Sequence, residues 1–483
     1  MRAWLVLAAF ATALTVSGTA VALVTSAPAL GVHWTSEHAS STHPPDSALA
    51  VGPTDLIEAT NAGVSRFKKR GRQEGHTESI ADFLRAATWP GSSASRYLKS
   101  KCCVDPHAMW DGALQRFWFS TQQGPAGGTA YVFVALSNSS SAAGGWTVLA
   151  LDQTINSNHV KEPNWCDYDQ IGFNEKTLFV SCDMEPDTSP GSDTGPSGTA
   201  FARVRVISKS EFEHPRCGTE PCSWWDLEHP LDENGQPSLP ITPARMYNTG
   251  TGYEYLLDAS HSGDEVTVRR ISDAGLCCDG NPSTRPTVRK WYISVPSFSR
   301  APDGVQKGTG KRLDLGAPWI HSAFYDNGWL YGAQTVSCLD SYSCVQIDAF
   351  PLNGAAEPVQ PDNPVLRFGT PKFFDAYPAI APSASGRMTV VYSQTGATEF
   401  PSVLYSKILP ATRGSGPSRA GTATLQRGTT SYVHTDVLHH TTTVGDYFSA
   451  AIDPDFQHVW IRGNLGPTAR GTDWTSVIGK TRP

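Results

Sequence analysis

Carboxylates recur along this 483-residue chain just ahead of short apolar runs. Asp46 precedes Ala48-Leu49-Ala50, Asp105 precedes Ala108-Met109-Trp110, and Asp167 precedes Ile171-Gly172-Phe173. Asp375 and Asp446 stand the same way before Ala379-Ile380-Ala381 and Ala450-Ala451-Ile452, and His321 takes that place before Ala323-Phe324-Tyr325. Each run is followed by a second one, and the second runs end on polar groups: Asn61, Gln122, Asp183, His261, Gln334, Gln394 and Asn464. Two carboxyl groups brought together can serve as acid and base in one reaction. Crowded like charges also raise one another's pKa, so that one acid keeps its proton unless a cation relieves it. A hard cation such as Ca²⁺ held by oxygen ligands would do so, although no D-x-D-x-D-G loop marks a calcium site. All of this requires a fold that gathers the strand ends.

Other groups could work beside the acids. His107 follows Asp105-Pro106, where proline stiffens the approach to the run, and it is the first choice for an imidazole that moves a proton. Tyr168, Tyr377 and Tyr447 lie next to the run starts, and Arg245, Arg269, Arg270 and Arg462 are available to clamp an anion. The bland reading stands beside each of these, because Asp and Asn at strand ends commonly cap turns through backbone hydrogen bonds. His439-His440 lie in what reads as an ordinary polar loop. No G-x-S-x-G, Walker loop, dinucleotide fingerprint or H-E-x-x-H occurs, which removes the familiar serine-hydrolase, nucleotide and zincin chemistries.

The elements that must position these groups are hairpins. In VGDYFSAAIDPDFQHVWIRGNLG (444–466), two β-prone runs flank Asp453-Pro454-Asp455, a turn sequence, so Asp446 and Asn464 finish side by side. Related hairpins begin near 46, 105, 167, 242, 321, 375 and 446. One or two further strand-like runs follow most of them. The repeating unit is therefore a three- or four-stranded antiparallel sheet, and seven such sheets packed radially bury faces that one sheet cannot. The expected fold is an all-β, seven-bladed β-propeller over 43–483, with a Cys- and Trp-containing insertion near 208–240; a two-sheet sandwich is the rival. In a propeller the starts of the first strands and the ends of the second strands crowd one mouth of the central channel, where ligands tend to bind.

Composition fits this reading. Charged residues are 17% of the chain while Gly (43) and Pro (35) are abundant, which indicates many turns and few long helices. A net charge of −7, with FKKRGR (67–72) as the only dense basic run, argues against nucleic acid as partner. Residues 1–22 read as a secretory signal ending at Ala20-Val21-Ala22, long enough to serve instead as an uncleaved anchor. Residues 23–42 read as a flexible leader, and membrane contact is expected only if the anchor stays. Ten cysteines suit an oxidising compartment. Cys166 and Cys182 flank a hairpin and should pair, while Cys217/Cys222 and Cys338/Cys344 are close enough to clip loops. The adjacent pairs Cys102-Cys103 and Cys277-Cys278 either bond within themselves or cross-link each other. No C-x-x-C motif or zinc-finger spacing is present.

At DPHAMWDGALQRFWF (105–119), GGWTVLALD (144–152) and GDYFSAAIDP (445–454) the chain resembles a group of secreted, largely uncharacterised bacterial and fungal propellers, distantly sialidase-like. The resemblance implies an extracellular location and a glycan or glycoconjugate ligand. The sialidase Asp-box is echoed only by SSAAGGWT (140–147), which lacks the Asp, and no sialidase nucleophile is carried over. The expected function is a carbohydrate-active enzyme, either a glycoside hydrolase or a polysaccharide lyase. Its catalytic candidates are His107, Asp105, Asp167, Asp375 and Asp446; its substrate-binding candidates are His261, His321, Gln122, Gln334, Gln394, Asn464, Arg245 and Tyr447. Hydrolysis would use two of the carboxyl groups across the glycosidic bond. The alternative is a non-catalytic extracellular propeller that binds glycan or protein. The 14 tryptophans, Trp224-Trp225 among them, could stack on sugar rings or simply pack. A monomer is expected.

Overall fold

A computed structural model describes residues 26–39, 42–86, 97–98, 102–124, 129–162, 164–186, 200–215, 224–247, 252–272, 285–338, 341–435, 441–468 and 473–483. The proposed signal, Cys217, Cys222, Cys277, Cys278 and His439-His440 lie outside the described residues. The fold is all-β, with several separate sheets and, among the described residues, two short helices.

The chain enters with β1 (Ala29–Ala39), then β2 (Ala48–Val51), β3 (Asp55–Thr60) and β4 (Gly63–Lys68), which form a three-stranded sheet from β2 to β4. Helix α1 (Ile80–Arg85) follows, capped by Ser79. The second sheet is β5 (Val104–Asp111), β6 (Arg116–Gln123), β7 (Tyr131–Ser137) and β8 (Trp146–Asp152). The third is β9 (Asn164–Phe173), β10 (Thr177–Pro186), β11 (Phe201–Ser208) and, past helix α2 (Ser210–Glu213), β12 (Trp225–Glu228). The fourth starts with β13 (Thr242–Pro243), passes over β14 (Arg245–Met246), and continues with β15 (Glu254–Ala259), β16 (Glu265–Ile271) and β17 (Val288–Ser294).

A nine-stranded sheet comes next. It joins β14, β18 (Ile320–Asp326), β19 (Trp329–Cys338), β20 (Tyr342–Pro351) and β21 (Val365–Phe368) to β22 (Phe373–Pro382), β23 (Met388–Gly396), β24 (Glu399–Leu409) and β25 (Ser418–Gln426). Among the described residues the two halves are paired as strands at one place, Ser343 parallel to Phe374. The last sheet is β26 (Ser449–Ile452), β27 (Val459–Leu465) and β28 (Trp474–Arg482), with β1 added antiparallel on its outer edge.

The first strands form a closed circuit of contacts: β2 with β5, β5 with β9, β9 with β13, β13 with β18, β18 with β22, β22 with β26, and β26 with β2. Small residues suit this crowded axis, and Ala48, Ala50, Ala379, Ala381 and Ala450 are buried there. Bulky residues fill the gaps between neighbouring sheets. Ala50 and Ile57 pack with Phe117, Phe133 and Val148 of the next sheet. Val134 and Leu149 pack with Ile171 and Val180, and Leu49, Leu56 and Phe67 pack with Trp460 and Ile478. Such wedges cover both faces of the inner strands, which a lone hairpin leaves wet, while outer strands such as β17 and β25 stay partly exposed.

Two expectations are corrected here. Residues 23–42 were expected to be a flexible leader, yet 29–39 form a strand whose Val32 and Trp34 pack on Trp460 and Ile478. The alternation in GVHWTSE carries only two large apolar residues, which suffices for an edge strand and is easily read as loop. The 208–240 stretch is not simply an insertion, because Trp225–Glu228 supplies the fourth strand of the third sheet. Trp224 lies over the Arg205 guanidinium, 4.9 Å to the ring centroid. Cys166–Cys182 and Cys338–Cys344 are bonded as expected, and Cys102 bonds to Cys103.

Candidate functional site

A backbone device repeats where the first strands begin. Asp105 (φ 53°), Tyr168 (φ 50°) and Tyr377 (φ 54°) all adopt the left-handed region. The ladders break register at the same places, between Val104 and His107, opposite Ser181/Asp183, and between Ala376 and Ala379. Each is a bulge, two residues facing one, and a bulge turns the next side chain away from its pleated direction. A non-glycine residue held there costs on the order of 1–3 kcal/mol and persists only where its surroundings fix it. Asp46 (φ 52°) occupies the equivalent place before β2.

These turns bring four carboxyl groups together. Asp46 accepts from Asn61 Nδ2 at 2.6 Å and from the Asp446 backbone N–H at 2.7 Å. Asn61 Oδ1 in turn accepts from the Asp105 N–H at 2.7 Å. Gln122 donates to both Asp105 and Asp167, the latter at 2.9 Å. Asp46 is fully buried, while Asp105, Asp167 and Asp446 are partly exposed. Burial, then the charges of Asp46, Asp167 and Asp446 and a hydrogen bond with Asp46, hold the Asp105 carboxyl well above the usual carboxylate range. Asp183 is raised by burial and by Asp167. Asp169 is pushed to about 8 by burial, against a hydrogen bond from Ser120, with Asp167 adding to the rise.

A layer of rings lies beneath. Tyr447 donates to the Pro106 carbonyl at 2.9 Å, and His107 stacks on it with centroids 4.4 Å apart. Burial, then the Arg245 charge, pull the His107 pKa down to about 3. His321, lowered to about 4 by burial, places Nδ1 3.4 Å from the Tyr168 hydroxyl. Trp319 is 6.1 Å from the Tyr168 ring. His107, His321, Arg245 and Tyr447 border a cavity of about 20 Å³, room for about one water. Among the described residues, His107 Nε2, His321 Nε2, Gln122 Oε1 and Asp183 Oδ1 are buried without a hydrogen bond.

The remaining candidates are placed elsewhere. Asp375 accepts from Gln394 at 2.7 Å and is pushed to about 7 by burial; the charge acting on it is Arg419, not the four acids. Gln334 sits inside its sheet and donates to Asp348 at 3.1 Å, since β19 continues four residues beyond it. His261 is exposed and faces Asp232 at 3.4 Å. Asn464 joins the acids indirectly, donating to the Asp46 backbone carbonyl at 3.1 Å. Arg245 donates to the Ala450 carbonyl.

A second, wider cavity, unmarked by any motif in the sequence, lies at the opposite ends of the first strands. There Leu49, Met109, Trp110, Phe173, Tyr247 and Phe456 surround a cavity of about 390 Å³, with Arg245 bordering it from the channel. The apolar residues beside the hairpin turns, Trp110 and Phe456, were its only trace in the sequence. Two further clusters have ligand atoms close enough to hold a metal ion: His43/His434/Asp473 and Glu162/Glu228/His229.

No family model and no curated protein matches the chain. Among solved structures it is similar to the Trypanosoma rangeli sialidase in complex with the inhibitor DANA, with 8% identity over 94% of this chain and a TM-score of 0.38. The chain spans 60% of that protein's length. It is also similar to the NanB sialidase of Streptococcus pneumoniae, with 7% identity, 88% of this chain, 82% of the other and a TM-score of 0.44. A thermostable family-43 glycoside hydrolase matches at 10% identity over 78% of this chain and 89% of the other, with a TM-score of 0.30. At these identities and scores no residue's role transfers from them.

Proposed function

We propose that the protein is an exported seven-bladed β-propeller that hydrolyses an extracellular glycan at the acid-lined mouth of its channel. Seven blades are supported by the circuit of first strands, if the nine-stranded sheet counts as two blades joined by one bridge. The disulfides are compatible with export.

The observation that carries the catalytic reading is the gathering of Asp46, Asp105, Asp167 and Asp446 around the shared amides of Asn61 and Gln122. Burial first, and then the charges of Asp46, Asp167 and Asp446, favour the protonated form of Asp105, which remains partly open to the mouth. It is therefore the group placed to protonate a leaving oxygen. Asp167, on the neighbouring sheet and fixed by Gln122, is the partner carboxylate.

A second reading is favoured by the larger cavity at the other opening, whose apolar walls and single guanidinium suit a binder of an amphipathic anion. Release of reducing ends from a polysaccharide and oligosaccharide panel separates the two. The wild type should cleave at least one glycan, while Asp105→Asn and Asp167→Asn should each lose about 100-fold or more in rate with unfolding curves unchanged. Wild-type turnover in Asp105→Asn would remove the catalytic assignment, and binding without cleavage by the wild type would favour the second reading.

A further inference from the structure

On the approach to Asp46, whose partner Asn61 also bonds the Pro44 carbonyl, three chain segments meet beside the last sheet. They are the approach to β2, the connection after β25, and the turn before β28, and they contribute His43, His434 and Asp473. Asp473 Oδ2 lies 3.2 Å from His43 Nε2, and its Oδ1 lies 3.2 Å from His434 Nε2. The two imidazoles are stacked in parallel, centroids 4.3 Å apart and planes within 2°. All three ligand atoms fall within 4.8 Å of one another.

We propose that His43, His434 and Asp473 form a binding site for a divalent transition metal of the zinc class. The spacing is the first argument. Tetrahedral Zn²⁺ with nitrogen and oxygen ligands at about 2.0–2.2 Å requires ligand atoms about 3.3 Å apart. Each histidine Nε2 is near that edge length from one of the two Asp473 oxygens, and the parallel rings tilt on binding so that both Nε2 lone pairs meet one ion.

The support behind the ligands is the second. His43 Nδ1 is 2.9 Å from the hydroxyl of Tyr432, which is 1% exposed. Tyr432 is itself held by its backbone N–H to Gln306 Oε1 at 2.9 Å. The hydroxyl can accept from Nδ1–H once a metal displaces the proton that Nε2 shares with Asp473, the usual arrangement behind a ligating histidine. Tyr432 is thus a positioning residue.

The third argument is access. The His434 side chain is 36% exposed and that of Asp473 21%, so a fourth position faces water or an exogenous ligand. Two nitrogens and one carboxylate with open positions suit zinc, copper, nickel or cobalt rather than calcium. The other cluster lacks this character: Arg203 already pairs with both Glu162 and Glu228, 3.0 Å from the latter, and neutralises them.

The test uses the untagged full chain, stripped with a chelator and dialysed against Zn²⁺, with bound metal measured by atomic absorption and affinity by titration calorimetry. One equivalent per chain is expected. His434→Ala and Asp473→Asn should each weaken binding about 100-fold or more, and Tyr432→Phe about 10–100-fold. Chelator should lower the melting temperature of the wild type and leave that of His434→Ala unmoved. Because His434 is partly exposed, its loss spares the core, and Asp473→Asn provides an independent readout. Wild-type protein that takes up no Zn²⁺, Cu²⁺, Ni²⁺ or Co²⁺ at micromolar concentration would overturn the proposal. So would zinc affinity equal to wild type in both His434→Ala and Asp473→Asn.

Discussion

Replacing Glu37 by Gln should change how stability depends on pH, and the sign follows from the neighbours. Glu37 is carried by β1 and is 5% exposed. It faces Glu58 across Arg462, whose Nε donates to Glu58 Oε1 at 2.5 Å while its nearer terminal nitrogen stays 4.0 Å from Glu37. One guanidinium thus serves two buried carboxyl groups, and Glu58 has the better share. Burial, then the Glu58 charge, raise the Glu37 pKa to about 8, against the pull of Arg462 and a hydrogen bond from Thr60. The unfolded chain releases this proton near its ordinary value of 4.5, so between the two values the native state binds more protons. Stability is then fully present below pH 4.5 and is lost as pH rises towards 8. At about 1.4 kcal/mol per pH unit, the wild type should lose about 3 kcal/mol relative to Glu37→Gln between pH 5 and 7.5. Urea unfolding of both proteins at the two pH values measures this difference, since the titrating groups that do not interact with Glu37 cancel and Glu58 beside it is the one that responds. A gap that stays constant, or that moves in favour of the wild type at pH 7.5, would refute the reasoning.

Three other perturbations have defined outcomes. His107 and His321 stay neutral in the fold down to about pH 3 and 4, whereas an exposed histidine takes up its proton near 6.5; His107→Phe should therefore gain about 2 kcal/mol on the wild type between pH 6.5 and 5 in unfolding titrations. Removing the Cys166–Cys182 bond, which links residues 16 apart, by the double change Cys166→Ala/Cys182→Ala should cost about 3 kcal/mol without reductant, and reductant should then have no further effect at this site. Trp460→Ala should cost about 3–5 kcal/mol, because Trp460 is fully buried, packs edge-on to Trp34 at 5.8 Å and donates to Asp453 at 2.8 Å.

The hairpins were legible because each carries its own turn and its own small-residue strand, and both signals are local. The link between Asp105 and Gln122 followed from that register alone. Asp375 did not join the acids, because the bulge in β22 falls on Tyr377, two positions later, and the carboxylate is left facing Gln394. Nothing in the sequence marks which residue of a D-A-Y or D-Y stretch will take a positive φ. Gln334 misled in a simpler way, since the strand runs on to Cys338 and the glutamine is mid-strand. His43, His434 and Asp473 have no shared spacing to detect, and packing alone unites them. The wide cavity was hidden for the same reason, being assembled from the turn ends of several sheets.

The pairing of β1 with β28 has a bearing on biosynthesis. His43 and Asp473, which meet at that seam, are 430 positions apart, so the clasp cannot fasten until nearly the whole polypeptide has been made. Contacts of such range form slowly. In the interval the segment around Val32 and Trp34 has a free edge, able to zip onto a neighbouring nascent chain. Yield during overexpression should consequently depend on how soon residues 474–482 follow, and chains truncated before them should accumulate as aggregates rather than as a smaller folded domain.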